Sequence, residues 1–338
     1  MEGNMPMTKK IHLLMLILVM LCMPALGEGL TPVAPAKDAL LEAYTNVRFN
    51  IRQEPEESSR RLKAVEDGQK VQVFGTGKEW SIVAYDGVMG YCKTKWLYRY
   101  RSLQPYTAQV PGAQLQAGIA QVATPVHVST SGYGGNLLKE NDQLTVLRLE
   151  DDFATLSIMR STTQIPASHL SFTSFVPWDK AEPGDVIGGF TTYYNETTGG
   201  KKYSANRRFN IDLAVKRLHG TVVAAGTDFS YNRLCGPYTQ ENGYKLGPNI
   251  SSDGVGYGGG VCQLSTTLYN AVLNLPLQIT EWAMHRESGV AYIPRGFDAA
   301  VGIYSDFSFT NSLPYDIRLE VLDQKGILTV IITRNDTN

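Results

Sequence analysis

The sequence predicts two small all-β barrels followed by a mixed α+β domain. Short alternating strands separated by Gly and Asp turns fill residues 44–97. A fainter version of that pattern returns roughly 73 residues later. From about Pro183 the spacing lengthens, and helical periods appear between strands. The chain has 338 residues, 43% hydrophobic and 19% charged, enough for a sizeable core and for two or three domains. The formal net charge of −1 argues against nucleic acid as the main partner.

Lys9-Lys10, an apolar run at 11–23 and Ala25-Leu26-Gly27 read as a secretory signal peptide over 1–27. The run is short for a membrane span, so a membrane is a partner only if this segment is retained. An exported protein, extracellular or held at the envelope, is expected. Residues 28–43 read as a Pro-containing linker. Cys92, Cys235 and Cys262 lie beyond the signal. An odd count outside the cell leaves at least one thiol free or paired between molecules. Neither cysteine nor histidine spacing fits a metal site, and no cofactor is expected.

In the first barrel, 44–102, Val71, Val73, Ile82 and Val83 are strand residues. Glu66-Asp67-Gly68, the Gly75 turn and Asp86-Gly87 are turn signals. The opening Asn50-x-Arg52, the strand from Gly68 to Val73, the Trp80 strand and the ending Gly90-Tyr91 to Trp96-Leu97 resemble a bacterial SH3-like domain. The resemblance implies binding of cell-wall peptides or the placing of a neighbouring domain. Residues 115–173 read as a degenerate second copy, with Asp142 near Gly68, Phe153 on Trp80 and Leu170 on Leu97. Wall binding and a spacer role both stand for these two sections.

In the third section, 183–334, residues 184–195 read as a strand. A helix follows, with Asn210 as its cap, Ile211, Ala214, Val215 and Leu218 as its stripe, and Gly220 as its stop. A strand and turn over 221–232, a helix from about Val261 with Pro276 beyond it, and an alternating strand at 326–334 complete it. The helix from Val261 holds the chief question. Gly258, Gly259 and Gly260 lead into Cys262, which is either a buried thiol or a nucleophile. Leu264, Leu268, Ala271 and Val272 form the core stripe. Cys262, Ser265, Thr266 and Tyr269 fall on a different, more polar face. Unpaired N–H groups at a helix start favour a thiolate and can bind an oxyanion. Gly258, Gly259, Gly260 and Gln263 are the expected oxyanion and substrate loop, the glycines admitting close approach. His285 is the candidate base, with Asp298 or Asp306 to orient it. His219 and His169 read as structural.

Residues 228–270, the string from His285 to Ala299 and residues 306–319 together resemble the VanW family. That resemblance implies a VanW-type domain in the bacterial envelope and a link to L,D-transpeptidation. A cysteine acyl-enzyme would then transfer one peptidoglycan stem peptide to the amine of another. It also implies that Cys262 is the nucleophile, with His285 and Asp298 on the family's histidine and aspartate positions. Family members often carry an arginine after Gly-Pro, whereas Tyr238 follows Gly236-Pro237 here. Tyr238, Lys245 and Arg286 are therefore candidate substrate contacts. Cys235 stands where the family usually has an aliphatic residue; a buried hydrophobic stand-in, a disulfide with Cys92 and one with Cys262 all remain open. The expected function is a cysteine acyltransferase on peptidoglycan stem peptides. A wall peptidase and a non-catalytic wall-binding scaffold are the alternatives.

Overall fold

A computed structural model describes residues 38–335 apart from 40, 78, 104–112, 131–132, 250–253 and 286–288. The expected signal peptide, the expected linker up to residue 37 and Arg286 lie outside the described residues. Among those described, no helix is long and apolar enough to cross a membrane. The chain is mostly β-sheet with few helices.

The first section forms one antiparallel sheet from β1 (Leu41–Thr45), β2 (Phe49–Arg52), β3 (Arg61–Val65), β4 (Lys70–Thr76), β5 (Trp80–Tyr85), β6 (Val88–Lys93) and β7 (Leu97–Ser102). Their spatial order is β3-β2-β6-β5-β4-β1-β7. The pleat explains the sequence pattern: Val71 and Val73 point into the core while Lys70 and Gln72 face water. Asp86 and Gly87 both take positive φ, 49° and 76°. Two such residues in a row twist the β5–β6 hairpin in the sense its strands require. Trp96 sits in a short 3₁₀ turn and stacks on Phe49 at 5.3 Å.

The second section contains β8 (Gly118–Val122), β9 (Val126–Thr130), β10 (Tyr133–Leu138), β11 (Gln143–Val146), β12 (Arg148–Glu150), β13 (Phe153–Ile158), β14 (Ser161–Pro166) and β15 (Leu170–Ser174). Phe153 opens a strand as Trp80 does. Leu170 opens one directly after a 3₁₀ turn as Leu97 does. β8 pairs with β11 and β15, as β1 pairs with β4 and β7. Unlike the first section, these strands divide among three separate sheets.

The third section is built on β16 (Val186–Tyr193), β17 (Val222–Val223), β23 (Ile317–Asp323) and β24 (Ile327–Arg334), in the order β16-β24-β23-β17. Between them lie β18 (Asp228–Ser230), β19 (Leu246–Pro248), β20 (Val255–Tyr257), β21 (Gln278–Glu281) and β22 (Ser308–Thr310). The expected alternation of β24 gives way to burial from Ile327 through Thr333. The long helix Gly200–Leu218 and the helix Val261–Val272 pack against this sheet. The second β section covers the sheet as well: Thr329 donates to Gln143 O at 2.9 Å, and Thr145 N donates to Thr191 Oγ1 at 2.8 Å. A strand covered on both faces reads as a continuous apolar run.

Asn210 is not the cap of the long helix, which starts ten residues earlier after Gly199. The Asn210 side chain is buried mid-helix. It donates to Lys245 O at 2.8 Å and Gly259 O at 3.1 Å, and it accepts from Lys245 N at 2.8 Å. Those bonds tie the long helix to β19 and to the glycine turn before Cys262. They satisfy the amide without competition from its own backbone. Gly220 ends the helix as expected, at φ 81°.

Candidate active site

Val261–Val272 is a twelve-residue helix entered through Gly260 at φ 111°. Eleven of its residues are buried, and Cys262 is the exception, half-buried at the first turn. Tyr231, fully buried, donates to Val261 O at 3.2 Å and pins this helix start.

His285 and Asp298 converge on the thiol from a separate loop. His285 Nδ1 donates to Asp298 Oδ2 at 2.7 Å, and the His285 backbone N–H donates to the same oxygen at 2.7 Å. That fixes the ring and leaves Nε2 for Cys262. Asp298 is 1% exposed, and Trp282 Nε1 donates to its backbone carbonyl at 2.8 Å. Cys262 Sγ lies 3.4 Å from Val301 O. Burial alone would push the thiol up. The charge and hydrogen bond of His285, with help from the Val301 backbone, outweigh it, and the thiol is held below its ordinary value. Burial opposes a charged imidazole too, but the facing Cys262 charge and the Asp298 hydrogen bond raise His285 to about 10. The pair therefore favours thiolate and imidazolium.

All three described cysteines are free. Cys235 is fully buried, its Sγ 3.8 Å from Ala214 O, and burial pushes it up to about 12. It fills an apolar space and leaves Cys262 unbridged. Cys92 is likewise buried inside the first section, its thiol raised by desolvation.

Several expected roles need correction. Ser265, Thr266 and Tyr269 do not form an open polar face; all three are fully buried. The chain around Ala299 covers them: Ser265 Oγ donates to Ala299 O at 2.6 Å, and Ala299 N donates to Thr266 Oγ1 at 3.0 Å. Tyr269 stacks on Trp282 at 4.8 Å. The Gln263 side chain is no oxyanion donor. Its amide donates to Thr192 Oγ1 and Tyr193 O at 3.1 and 3.2 Å, and its oxygen accepts from Arg207 at 2.7 Å. Lys245 rests its ammonium on the Phe209 ring, 3.8 Å from the centroid, rather than on the thiol. Asp306 accepts from Ser230 Oγ at 2.6 Å and Asn232 N at 2.8 Å, an anchor for the short helix Tyr231–Cys235. His219 Nδ1 sits on the Val321 backbone. Tyr238 does approach the site: its burial and the nearby Cys235 and Cys262 charges raise its phenol, which donates to Asn232 Oδ1 at 2.6 Å.

The glycines before Cys262 answer to packing. A Cβ on Gly259 would lie 2.4 Å from Gly247 C and 2.6 Å from the carbonyl oxygens of Gly247 and Pro248. Those atoms are backbone and cannot turn aside. Gly259→Ala is expected to cost about 2–3 kcal/mol by overpacking. A thermal melt against wild type checks this, and an unchanged midpoint would contradict it.

Sequence reasoning missed Arg207, Tyr292 and Trp282. Only the helical period of residues 200–218 placed Arg207 on a buried face. Nothing in the spacing linked Tyr292 or Trp282 to the thiol.

Fold and site together give a mostly β chain in which a cysteine, a histidine and an aspartate meet at a helix start. Residues 206–333 match the family described as VanW like protein, and residues 45–98 match Bacterial SH3 domain. Over that C-terminal section the chain is similar to the VanW family. It is 34% identical over 153 residues to the uncharacterized protein YoaR of Bacillus subtilis (strain 168), covering 44% of this chain and 48% of that one. It is 35% identical over 95 residues to the vancomycin B-type resistance protein VanW of Enterococcus faecalis (strain ATCC 700802 / V583), covering 27% and 34%. The chain thus spans half or less of the length of these relatives. The structure of NlpC1 from Trichomonas vaginalis aligns over 92% of this chain and 100% of that one, at 10% identity. Its TM-score of 0.17 is too low to carry a fold argument.

Proposed function

We propose that this protein is an exported, cell-wall-related cysteine acyltransferase that joins peptidoglycan stem peptides through a Cys262 thioester. The single observation that carries this reading is the pairing of Cys262 with a histidine locked by a buried aspartate. The thiolate attacks the donor carbonyl carbon. Val261 N–H and Gln263 N–H already bond Gly258 O and Gly260 O. The Cys262 N–H is left, beside the thiol, as the first-turn donor for the oxyanion. The C–N bond breaks as His285 Nε2–H protonates the leaving amine, and a thioester remains. Neutral His285 then takes a proton from the acceptor amine as it attacks. A new amide forms and the thiolate returns. Water in place of the amine gives hydrolysis, the peptidase alternative.

The family match and the SH3 domain support the wall as the setting. The residues opening β13 and β15, which sit at the positions of Trp80 and Leu97, support reading 115–173 as a degenerate second SH3-like section. These sections hold the enzyme on the wall or space it from the wall.

Cys262→Ala is expected to fold normally and to abolish formation of 3–3 cross-links. Muropeptide analysis of cells carrying only this variant checks the claim. Undiminished cross-links in that strain would sink it, and a C262A strain with the wild-type wall but lost wall adhesion would favour the scaffold reading.

A further inference from the structure

We infer that Arg207 is the carboxylate-recognition residue of this site, selecting donor peptides that end in a free α-carboxylate close to the scissile bond. The inference rests on the acyl-transfer reading above.

Arg207 is only 7% exposed, on the inner face of the long helix. Its stem lies against the turn that delivers Cys262: a Cβ on Gly260 would meet Arg207 Cγ at 2.9 Å. One arm of the guanidinium is used, with Nη2 donating 2.7 Å to the Oε1 of Gln263, the residue after the nucleophile. The plane lies over the Tyr194 ring at 4.9 Å. The other arm, Nη1, is buried without a hydrogen-bond partner. Among the described residues no carboxylate forms an ion pair with it. Asp323 lies in the vicinity, but both its oxygens accept from the Tyr194 hydroxyl, at 2.8 and 2.9 Å.

A buried cation with one arm unpaired is costly, and an acceptor on that arm removes the cost. A guanidinium fork suits a carboxylate in particular. Its reach toward the chemistry is marked by Tyr292, whose phenol lies by Thr266 and experiences the charges of both Cys262 and Arg207. Through Nη2 the guanidinium bonds the residue after Cys262, which sets Arg207 beside the start of that helix.

The test needs no knowledge of the natural substrate. Cys262 in the full chain is alkylated with iodoacetate and with iodoacetamide, in wild type, Arg207→Gln and Arg207→Lys, each checked for folding by circular dichroism. The iodoacetate-to-iodoacetamide rate ratio is expected to fall about tenfold in R207Q and to fall partway in R207K, which keeps the charge but loses the fork. A ratio unchanged in folded R207Q, or fully retained in R207K, overturns the assignment. In the wild type, N-acetyl-D-alanine should protect Cys262 from iodoacetamide while its carboxamide does not. Equal protection by both, or by neither, also overturns it and settles the matter if R207Q fails to fold. Failure of the parent reading has a different sign, a wild-type Cys262 that iodoacetamide modifies no faster than an ordinary thiol.

Discussion

His285→Ala is expected to lower the proposed acyl transfer by about 10²–10⁴-fold and to move Cys262 alkylation to alkaline pH. The sign follows from the competing causes. Burial pushes the Cys262 thiol up and is the largest influence; His285 is the main one pulling it down. Removal of the imidazole leaves burial in command, so the thiol rises above its ordinary range. At neutral pH the reactive thiolate becomes scarce, and alkylation by iodoacetamide slows by at least about tenfold. In the wild type the reactive ion pair is present above the lowered titration of Cys262 and below that of His285, near 10. Alkylation should therefore climb on the acid side and reach a plateau at neutral pH. Acyl transfer should also fall on the alkaline side, where the imidazolium that protonates the leaving amine is lost. The two limbs belong to the coupled pair, so stopped-flow rates across pH report macroscopic values. An H285A variant with the wild-type alkylation profile would remove His285 from the mechanism.

Of the Cys262–His285–Asp298 set that the structure brings together, only Cys262 carries a local signature. Cys262 follows three glycines and stands off the leucine stripe, and the structure leaves it the one residue of its helix not buried. His285 and Asp298 came from the family pattern, and their 2.7 Å bond gives that pattern a physical reason. The polar helix face was misread because periodicity reports which residues share a side, not what covers it. Ser265 and Thr266 are polar so that they can bond the Ala299 backbone, a partner thirty-odd residues away in sequence. The glycine run was misread for a similar reason. Gly259 makes room for Gly247 and Pro248, and no local signal announces a contact with β19. Arg207 escaped notice because a helix capped at Asn210 leaves it outside; the helix begins at Gly200, and Arg207 then falls four residues before Ile211 on the buried face. Strand and turn chemistry in residues 44–97 was plain, since Val71, Val73 and Asp86-Gly87 act through near neighbours.

Trp282→Ala is expected to destabilise the protein by about 3–5 kcal/mol and to weaken catalysis as well. Trp282 is 3% exposed and joins three parts of the molecule. Its ring stacks on Tyr269 of the Cys262 helix at 4.8 Å and meets the tilted ring of Tyr100, on β7, at 4.7 Å. Its backbone N–H donates to Tyr100 O at 2.8 Å, extending β7 toward the site. Its indole N–H donates to the carbonyl of Asp298. The alanine variant loses the aromatic stack and leaves that buried carbonyl without its donor, so the cavity cost and the polar cost add. The midpoint of thermal unfolding should drop by roughly 4–8 °C for a chain of this size. Trp282→Phe separates the two parts. It keeps most of the stacking area but not the N–H, so it should recover most of the midpoint while the rate of acyl transfer stays low. That split would place the SH3 domain and Asp298 on one packed column, with the position of His285 depending on it. A W282F enzyme with both stability and rate restored would instead leave Trp282 as core packing alone.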